Sequence, residues 1–186
     1  MLPTLILSLI TMSKSSQSEI ERDEKKVIHE LQKNSKESID NIAKNCGFSR
    51  QKVWRIIKRL EKNKTIWGYC VAVDDFKLDM KQYFVLLKRT NKPISQEAID
   101  LIVDRNLRKE SEKMGVYSIG SYFVHGYFDW IINIKAADIV HAKKFIELFS
   151  TRFDQFISDI KLLEVIFPIT KNGIDNPKVG EFSSFF

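Results

Sequence analysis

The chain has 186 residues and a formal net charge of +6, and its 44% hydrophobic content is typical of a folded globular protein rather than a disordered one. The two cysteines, Cys46 and Cys70, are too few for a disulfide scaffold, and neither they nor the three histidines have the spacing of metal ligands. No apolar run approaches the roughly 18 residues of a membrane-spanning helix, so we expect no membrane partner. We also expect a cytoplasmic protein with no metal and no cofactor.

Residues 1–18 begin with an uncharged apolar stretch. A secretory signal has basic residues before such a stretch and small residues at a cleavage site, and neither feature is present. The sequence SKSSQSEIERDE after Met12 is typical of the start of a cytosolic protein, so Met12 is an alternative initiator. We expect residues 1–18 to form a loose tail.

Three helical periods follow between residues 19 and 64. The first covers roughly 21–33, and the second begins after Ser38, a favourable N-cap residue, and ends at Gly47. The third begins after Ser49. Its apolar face consists of Val53, Ile56, Ile57 and Leu60. A short glycine-containing turn between a small helix and a basic helix is typical of a helix-turn-helix, so we predict a winged-helix-like DNA-binding domain at 19–64.

Positive charge is concentrated in the third helix, since residues 49–64 contain seven basic residues and one acid. In a helix-turn-helix the start of this helix enters the major groove, and basic side chains farther along neutralise phosphates. The predicted DNA-binding residues are Ser49, Arg50, Gln51, Lys52, Trp54, Arg55, Lys58, Arg59 and Lys62. A basic amphipathic helix could instead bind an anionic membrane or a partner protein. The alternative for Trp54 is packing against the first helix or the linker.

Residues 65–80 are predicted to be a linker strand, and from residue 81 the pattern becomes strand, helix, strand, strand, helix, strand. The predicted strands are 82–90, 116–124, 127–135 and 159–170, and the predicted helices are 95–114 and 138–153. This βαββαβ order predicts an α+β chain whose second domain, 81–173, is ferredoxin-like. Strands one and three are then central, with Pro168 in edge strand four. Residues 174–186 are expected to dock on a neighbouring subunit or to stay loose.

Two predicted central strands have continuous apolar runs, at 83–87 and 130–132. The two helices of such a domain cover one face of the sheet, so the other face would alternate to polar residues if it were exposed to water. We infer that a second copy of the sheet covers it and that the chain forms a homodimer, with higher homo-oligomers left open. The alternative is that the DNA-binding unit folds back over that face.

The segment GFSRQKVWRIIKRLEKNKTIWGY has a basic helix, a leucine–glutamate pair, an isoleucine and a glycine–tyrosine pair in the order found in one regulator family. The matching residues are Gly47, Ser49, Val53, Ile57, Arg59, Leu60, Glu61, Ile66, Gly68 and Tyr69. Over residues 20–173 the chain resembles the Lrp/AsnC (feast/famine) transcriptional regulators. The resemblance implies sequence-specific binding of double-stranded DNA by the helix-turn-helix. It also implies a second domain that binds an effector and oligomerises.

Two positions depart from the Lrp/AsnC pattern. Ile56 stands where an arginine is usual, and we expect this change to remove one DNA contact. Lys64 stands where the turn usually has glycine, so either Asn63 or Lys64 is expected to adopt the left-handed conformation.

The turn between predicted strands two and three is the expected small-molecule site. His125 and Gly126 are predicted to form a tight turn, and Asp129 follows at a Gly-x-x-Asp spacing. Glycine lets a ligand approach the backbone, and a carboxylate can hold an ammonium group. In Lrp/AsnC regulators this spacing lies at a pocket between dimers that binds amino acids. The resemblance therefore implies an amino-acid effector at His125, Gly126, Tyr127 and Asp129, and a plain hairpin with a solvated Asp129 is the alternative.

Two other functions fit the same architecture. Haem-pathway decarboxylases resemble it, and in that case His125, His141 and basic residues face the carboxylates of a tetrapyrrole. The other is an architectural, sequence-tolerant DNA-binding protein. Ser49 and Lys52 match a Ser-x-x-Lys pattern without its companion motifs, and neither a phosphate-binding glycine loop nor a Ser-His-Asp order is present. We therefore predict that the chain is not an enzyme.

Overall fold

The computed structural model of the chain describes residues 3–185, with side chains described from residue 17 onward. The described chain divides into two units. The N-terminal unit contains the residues up to 72 together with 170–176, and the C-terminal unit contains 73–169 and 177–185. The first unit is helical and the second contains an antiparallel sheet with helices, so the predicted α+β class is confirmed.

Three helices form the N-terminal unit: α1 (Pro3–Lys33), α2 (Ile39–Cys46) and α3 (Arg50–Lys62). Ser38 caps α2, because its hydroxyl accepts a hydrogen bond from the Asn41 amide at 3.1 Å. α2 ends at Gly47, whose φ of 69° lies in the left-handed region that glycine adopts without the steric cost of a Cβ. The buried core of this unit consists of Val27, Ile42, Ala43, Val53, Ile56 and Leu60.

The segment expected to be a loose tail is helical. α1 begins at Pro3 and continues to Lys33, instead of beginning near residue 21. Proline suits the first position of a helix because that position needs no N–H donor, and residues 4–33 contain no glycine and no second proline. Residues 1 and 2 of the predicted tail lie outside the described residues.

The predicted linker strand is not formed in the single chain. Residues 67–74 have no regular secondary structure, and a short 3₁₀ helix follows at Asp75–Leu78. A strand needs a partner for its backbone N–H and C=O groups, and no segment within residues 3–185 pairs with this one. Its apolar side chains therefore stay in solvent, with Trp67 94% and Val71 79% exposed.

The C-terminal unit is a four-stranded antiparallel sheet with helices packed on one face. Its elements are β1 (Lys81–Arg89), α4 (Gln96–Val103), α5 (Asn106–Lys113), β2 (Tyr117–Phe123), β3 (Trp130–Ala136), α6 (Ile139–Arg152) and β4 (Ile157–Glu164). The order across the sheet is β2-β3-β1-β4, so strands one and three are central as predicted. The ferredoxin-like arrangement is confirmed, with the first of its two helices divided.

Two boundaries differ from the predictions. The helix predicted over 95–114 is two helices, because Arg105 between them has a φ of 56° and a left-handed residue interrupts α-helical hydrogen bonding. β4 ends at Glu164, so Pro168 lies beyond the strand and not in an edge position. Proline has no N–H to donate and restricts the residue before it, which favours the end of pairing ahead of Pro168.

Alternate residues of the central strands point into the core beneath the helices. Tyr83, Val85 and Leu87 of β1 are buried, as are Trp130, Ile132 and Ile134 of β3. The helices supply a cluster of aromatic rings to the same core. The Trp130 ring lies 5.0 Å from Phe149, 5.5 Å from Phe153 and 4.5 Å from Phe123, measured between ring centroids.

The opposite face of the sheet carries no helix, and we call it the open sheet face. Its residues include Phe84, Leu86, Ile131, Tyr122 and Leu163. Phe84 is paired with Leu163 across the strands, and Ile131 is paired with both Leu86 and Tyr122. Tyr122 is 58% exposed and Leu163 is 50% exposed. The apolar side chains on this face are therefore neighbours that form one patch.

The residues after β4 pack instead of remaining loose. A ribbon of β5 (Thr170–Lys171) and β6 (Ile174–Asp175) belongs to the N-terminal unit, and a 3₁₀ helix at Val179–Phe185 belongs to the C-terminal unit. Phe182 and Phe185 lie 5.6 and 4.9 Å from Phe167, and Lys178 pairs with Asp74 at 2.8 Å. The predicted tail thus makes these contacts within its own chain.

Replacement of Phe149 by alanine should lower the free energy of unfolding by about 3–5 kcal/mol, because it removes a buried ring and leaves a cavity. Phe149 packs on Trp130, Phe145 and Phe153. The measurement is urea unfolding followed by circular dichroism. Val140→Ala on the same helix is the control, since Val140 is 55% exposed and should change stability by less than about 0.5 kcal/mol. Equal losses in the two variants would contradict this packing.

Candidate functional site

α3 presents one face to the core of the N-terminal unit and the other to solvent. Its buried residues are Val53, Ile56 and Leu60. Arg50, the first residue of α3, is exposed, and the exposed residues after it follow helical spacing: Gln51, Trp54, Arg55, Lys58, Arg59 and Lys62. Residues three or four apart share one side of a helix, so these six form a single surface, which we call the basic stripe. Four of its residues are basic and none is acidic.

The start of α3 is fixed by the turn that precedes it. Ser49 caps the helix, since its hydroxyl accepts a hydrogen bond from the Lys52 amide at 3.2 Å. The Lys52 ammonium lies 4.2 Å from the centre of the Phe48 ring and 2.7 Å from the Asp23 carboxylate. The hydrogen bond that the Lys52 ammonium donates to the Asp23 carboxylate lowers the pKa of Asp23 below its ordinary value. Lys52 is half-buried by these contacts and lies off the basic stripe.

Besides Lys52, three other predicted DNA-binding cations pair with acidic side chains of the protein. The pairs are Arg59 with Glu24 at 2.8 Å, Lys58 with Glu61 at 2.8 Å, and Arg50 with Asp40. All three cations are substantially exposed, and exposed pairs of this kind are weak enough to exchange for a phosphate. Arg55 and Lys62 form no ion pair within the described residues. They can contact an anion without breaking an internal pair.

Three further positions of this unit answer questions left open by the sequence. Trp54 is 51% exposed and is not part of the buried core, so its indole lies on the basic stripe. Ile56 is buried, so its side chain faces the core and not the stripe, and the loss of a DNA contact relative to the Lrp/AsnC pattern stays a prediction. Lys64 has the left-handed conformation, with a φ of 63°, whereas Asn63 does not.

A second candidate site is a cavity of ≈ 520 Å³ in the C-terminal unit, beside the β2–β3 connection. We call it the hairpin cavity. Its polar lining residues are Arg89, His125 and Asp129. Its apolar lining residues are Ile94, Ile99, Ile102, Val103, Phe123, Val124 and Phe156. A mostly apolar lining with a few convergent polar groups is typical of a site for a small molecule.

Asp129 holds the β2–β3 connection against the end of β1. Its N–H donates to the Leu87 carbonyl at 2.9 Å, and its own carbonyl accepts from the Val124 N–H at 2.9 Å. Its carboxylate accepts from the Arg89 N–H at 3.0 Å and lies 3.6 Å from the Arg89 guanidinium. Asp129 is therefore anchored by its own chain and not merely solvated, and a plain hairpin stays the alternative to a ligand site. A carboxylate beside a guanidinium on an apolar wall offers partners for both charged groups of an amino acid.

The structure brings two of the four predicted effector residues to the cavity. His125 and Asp129 line it, and Gly126 and Tyr127 do not. The connection between β2 and β3 is a six-residue loop, 124–129, and not a tight two-residue turn. Gly126 is not left-handed, and a Cβ added there would meet nothing within 4 Å. Tyr127 is 71% exposed, with the Lys88 ammonium 4.0 Å from its ring centre.

Arg89 is a lining residue that the sequence analysis missed. It lies at the end of β1, forty residues before Asp129, and only the pairing of β1 with β3 brings the two together. A basic residue at the end of a predicted strand was the available signal. Such residues are common at strand ends, so the signal by itself does not indicate a ligand.

The two histidines of the tetrapyrrole alternative are not brought to one cavity. His125 lines the hairpin cavity, whereas the Nδ1 atom of His141 lies 2.8 Å from Asp138, the N-cap of α6. No group of three or more histidine, cysteine, aspartate or glutamate side chains in the described residues is arranged to hold a metal ion. None of the helices within residues 3–185 combines the length and apolar character needed to cross a membrane.

Residues 24–66 match the family model of winged helix-turn-helix DNA-binding domains. This segment contains all of α2 and α3 and the last third of α1. The predicted helix-turn-helix is therefore confirmed, and the basic stripe lies on its last helix. No curated protein matches the chain closely enough to count as a relative.

Solved structures resemble about four fifths of the chain. An AsnC family transcriptional regulator from Agrobacterium tumefaciens is 22% identical, with a TM-score of 0.55 over 81% of this chain and 92% of that one. A Mycobacterium tuberculosis leucine response regulatory protein is 12% identical, with a TM-score of 0.61 over 81% and 94%. The chain has the two-domain fold of the Lrp/AsnC regulators. The predicted resemblance is thus confirmed at the level of the fold.

Another similar structure was solved with a bound ligand. A transcriptional regulator from Neisseria meningitidis, solved as a complex with L-Met, is 16% identical to this chain. Its TM-score is 0.59, and the alignment covers 80% of this chain and 91% of that one. Identities at this level establish a shared architecture, and function has to be argued from the residues of this chain.

Ser49→Ala should lower the free energy of unfolding of the Lrp/AsnC-like helical unit by about 1 kcal/mol, because the Lys52 amide loses its capping partner. Ser49→Asn is the matched control, since asparagine is an equally good N-cap and should restore stability. Urea unfolding followed by circular dichroism measures both variants. A Ser49→Asn variant as unstable as the alanine variant would argue against the capping role.

Proposed function

We propose that the chain is a sequence-specific DNA-binding transcriptional regulator of the Lrp/AsnC type that binds DNA as a homodimer and responds to an amino acid. The observation that carries the proposal is the basic stripe on the solvent face of α3, within the segment that matches the winged helix-turn-helix model. A capped helix whose apolar face packs on the core and whose opposite face is cationic is suited to docking in a major groove.

The exposed stripe divides into two parts with different proposed roles. Gln51, Trp54 and Arg55 lie in its first half, which enters the groove and contacts base edges. Lys58, Arg59 and Lys62 lie farther along and neutralise phosphates. Arg50 and Ser49 flank the start of the helix, and Lys52 acts by fixing that start through Asp23 and Phe48. The first half of the basic stripe therefore supplies sequence specificity, and its second half supplies salt-dependent affinity for DNA.

Arg55→Ala should weaken binding to the preferred DNA site by about 1–3 kcal/mol and relax the preference for that site, because a base contact is lost. Lys62→Ala should instead weaken binding to all sequences alike and reduce its salt dependence. Fluorescence anisotropy at several salt concentrations, with specific and scrambled duplexes, measures both effects. Lys144→Ala, at an exposed cation on α6 off the stripe, is the control and should change neither.

If Arg55→Ala leaves both affinity and site preference unchanged, Arg55 does not read bases. Footprints without a preferred site in the unaltered protein would favour the architectural alternative over the regulator.

The homodimer is proposed to form through the open sheet face. Phe84, Leu86 and Ile131 lie at its centre, and α4, α5 and α6 pack only on the other side of the sheet. An apolar patch of this kind is stabilised when a second copy removes it from water. A two-fold dimer uses the same patch on both subunits, so no further surface is needed.

Leu86→Asp should convert the dimer to a monomer, because the carboxylate would be buried without a partner in the interface. Sedimentation velocity measures the mass. Val140→Asp is the control, since Val140 is exposed on α6, away from the open sheet face, and its replacement should leave the dimer intact. A dimeric Leu86→Asp variant would exclude this face as the interface. Val85 is unsuitable for the test, because it is buried in the core.

The effector is proposed to bind in the hairpin cavity. The Asp129 carboxylate is placed to hold an ammonium group, and the Arg89 guanidinium is placed to hold a carboxylate. The surrounding isoleucine and phenylalanine side chains suit an apolar amino-acid side chain. A ligand alters DNA binding only if it binds one assembly state more tightly than another, and a site completed by a neighbouring subunit meets this condition.

An effector amino acid should raise the melting temperature of the wild-type protein. A ligand at about a hundred times its dissociation constant adds roughly 2.7 kcal/mol of stability. A thermal-shift screen of the twenty amino acids identifies it. Asp129→Asn keeps an acceptor for the Arg89 amide but loses the charge, so the shift should disappear while unliganded DNA affinity stays nearly unchanged. Tyr127→Ala is the control, because Tyr127 lies outside the cavity.

Two results would remove the effector from this cavity. One is that none of the amino acids shifts the wild-type protein. The other is that Asp129→Asn responds as the wild type does.

A further inference from the structure

A second cavity, of ≈ 430 Å³, lies in the C-terminal unit between the α4–α5 pair and strands β2 and β3. We call it the inner cavity. It shares only Ile102 and Phe123 with the hairpin cavity, so these side chains form the wall between the two. Its apolar floor consists of Leu107, Trp130, Ile132, Phe145 and Phe149. The proposed effector site uses none of these floor residues.

The rim of the inner cavity is positively charged. Arg105 and Arg108 line it, and no acidic residue does. The Arg105 side chain forms no hydrogen bond or ion pair with the described part of the chain. Arg108 donates to Glu112 at 2.9 Å in an exposed pair, which a bound anion can replace. The cavity therefore offers two guanidinium groups at its mouth, one of them without an internal acidic partner.

The first turn of α5 adds to this positive potential. No side chain caps the helix, whose N-cap residue is Arg105, and Leu107 and Arg108 of the first turn line the cavity. Backbone amides at a helix start carry partial positive charge and favour an anion. Charge complementarity at the rim thus comes from side chains and from backbone together.

Two of the polar groups that line the cavity already have partners. The Trp130 indole N–H donates to the Ser121 hydroxyl at 2.8 Å, and the Ser111 hydroxyl donates to the Arg108 carbonyl at 2.9 Å. The interior therefore presents mainly apolar surface to a ligand. We propose that the inner cavity binds a small monocarboxylate with an aromatic or branched apolar body. Its carboxylate pairs with Arg105 and Arg108, and its body lies on Ile119 and Phe123, the exposed apolar residues of the lining.

The test uses the full-length protein and isothermal titration calorimetry. The probes are 3-phenylpropionate, 4-methylpentanoate and indole-3-acetate, each compared with its uncharged primary amide. At least one carboxylate should bind saturably, and its amide should bind about tenfold more weakly, because the amide cannot form the charge-assisted pairs. Arg105→Gln and Arg108→Gln should each weaken carboxylate binding about tenfold and leave amide binding unchanged. Lys109→Gln is the matched control, since Lys109 is exposed on α5 and does not line the cavity.

A second measurement locates the ligand. In Trp54→Phe/Trp67→Phe protein, Trp130 is the only remaining tryptophan, so its fluorescence reports on the cavity floor. The bound carboxylate should change this fluorescence and should still bind to Asp129→Asn protein, which separates this site from the hairpin cavity.

Three results would overturn the proposal. They are the absence of saturable binding by all three carboxylates, equal affinity for acids and amides, and carboxylate binding that is insensitive to both arginine changes or leaves Trp130 fluorescence unaltered. Each result is independent of DNA binding and of the amino-acid response, so it does not decide the proposed regulator function.

Discussion

The two-residue period of strands β1 and β3 is the constraint on which the C-terminal unit depends. One set of alternate residues, represented by Val85 and Ile132, is buried under three helices. The other set, represented by Leu86 and Ile131, is thereby placed on the open sheet face. Because both sets contain apolar residues, a strand that builds the core of one chain also prepares a surface for a second chain.

The same separation of faces operates in α3 with a different period. Val53, Ile56 and Leu60 bury one side of the helix, and the residues three and four positions apart on the other side form the basic stripe. Packing against α1 also fixes which cations remain free, because Glu24 and Asp23 engage Arg59 and Lys52. The helix therefore keeps its affinity for an anionic surface concentrated at positions such as Arg55 and Lys62.

The two cavities lie beside the same edge strand, β2, and have different polar groups. Asp129 and Arg89 belong to a loop junction where the β2–β3 connection meets the end of β1. Arg105 lies between α4 and α5, and Arg108 lies in the first turn of α5. Phe123 lies between the cavities and stacks on Trp130 with 4.5 Å between ring centroids. A shift of the Phe123 ring would change the shape of both cavities, so a ligand in one cavity could alter binding in the other.

The sequence by itself determined the order and type of most elements, because helical and strand periods are local properties of the chain. It predicted the helix-turn-helix, the central placement of β1 and β3 and the cationic face of α3. Tertiary structure decided what depends on distant residues: the partnership of Arg89 with Asp129, the burial of Ile56, the break at Arg105 and the helical start at Pro3. Pairing register and ion-pair partners join positions tens of residues apart, and no local period encodes such a contact.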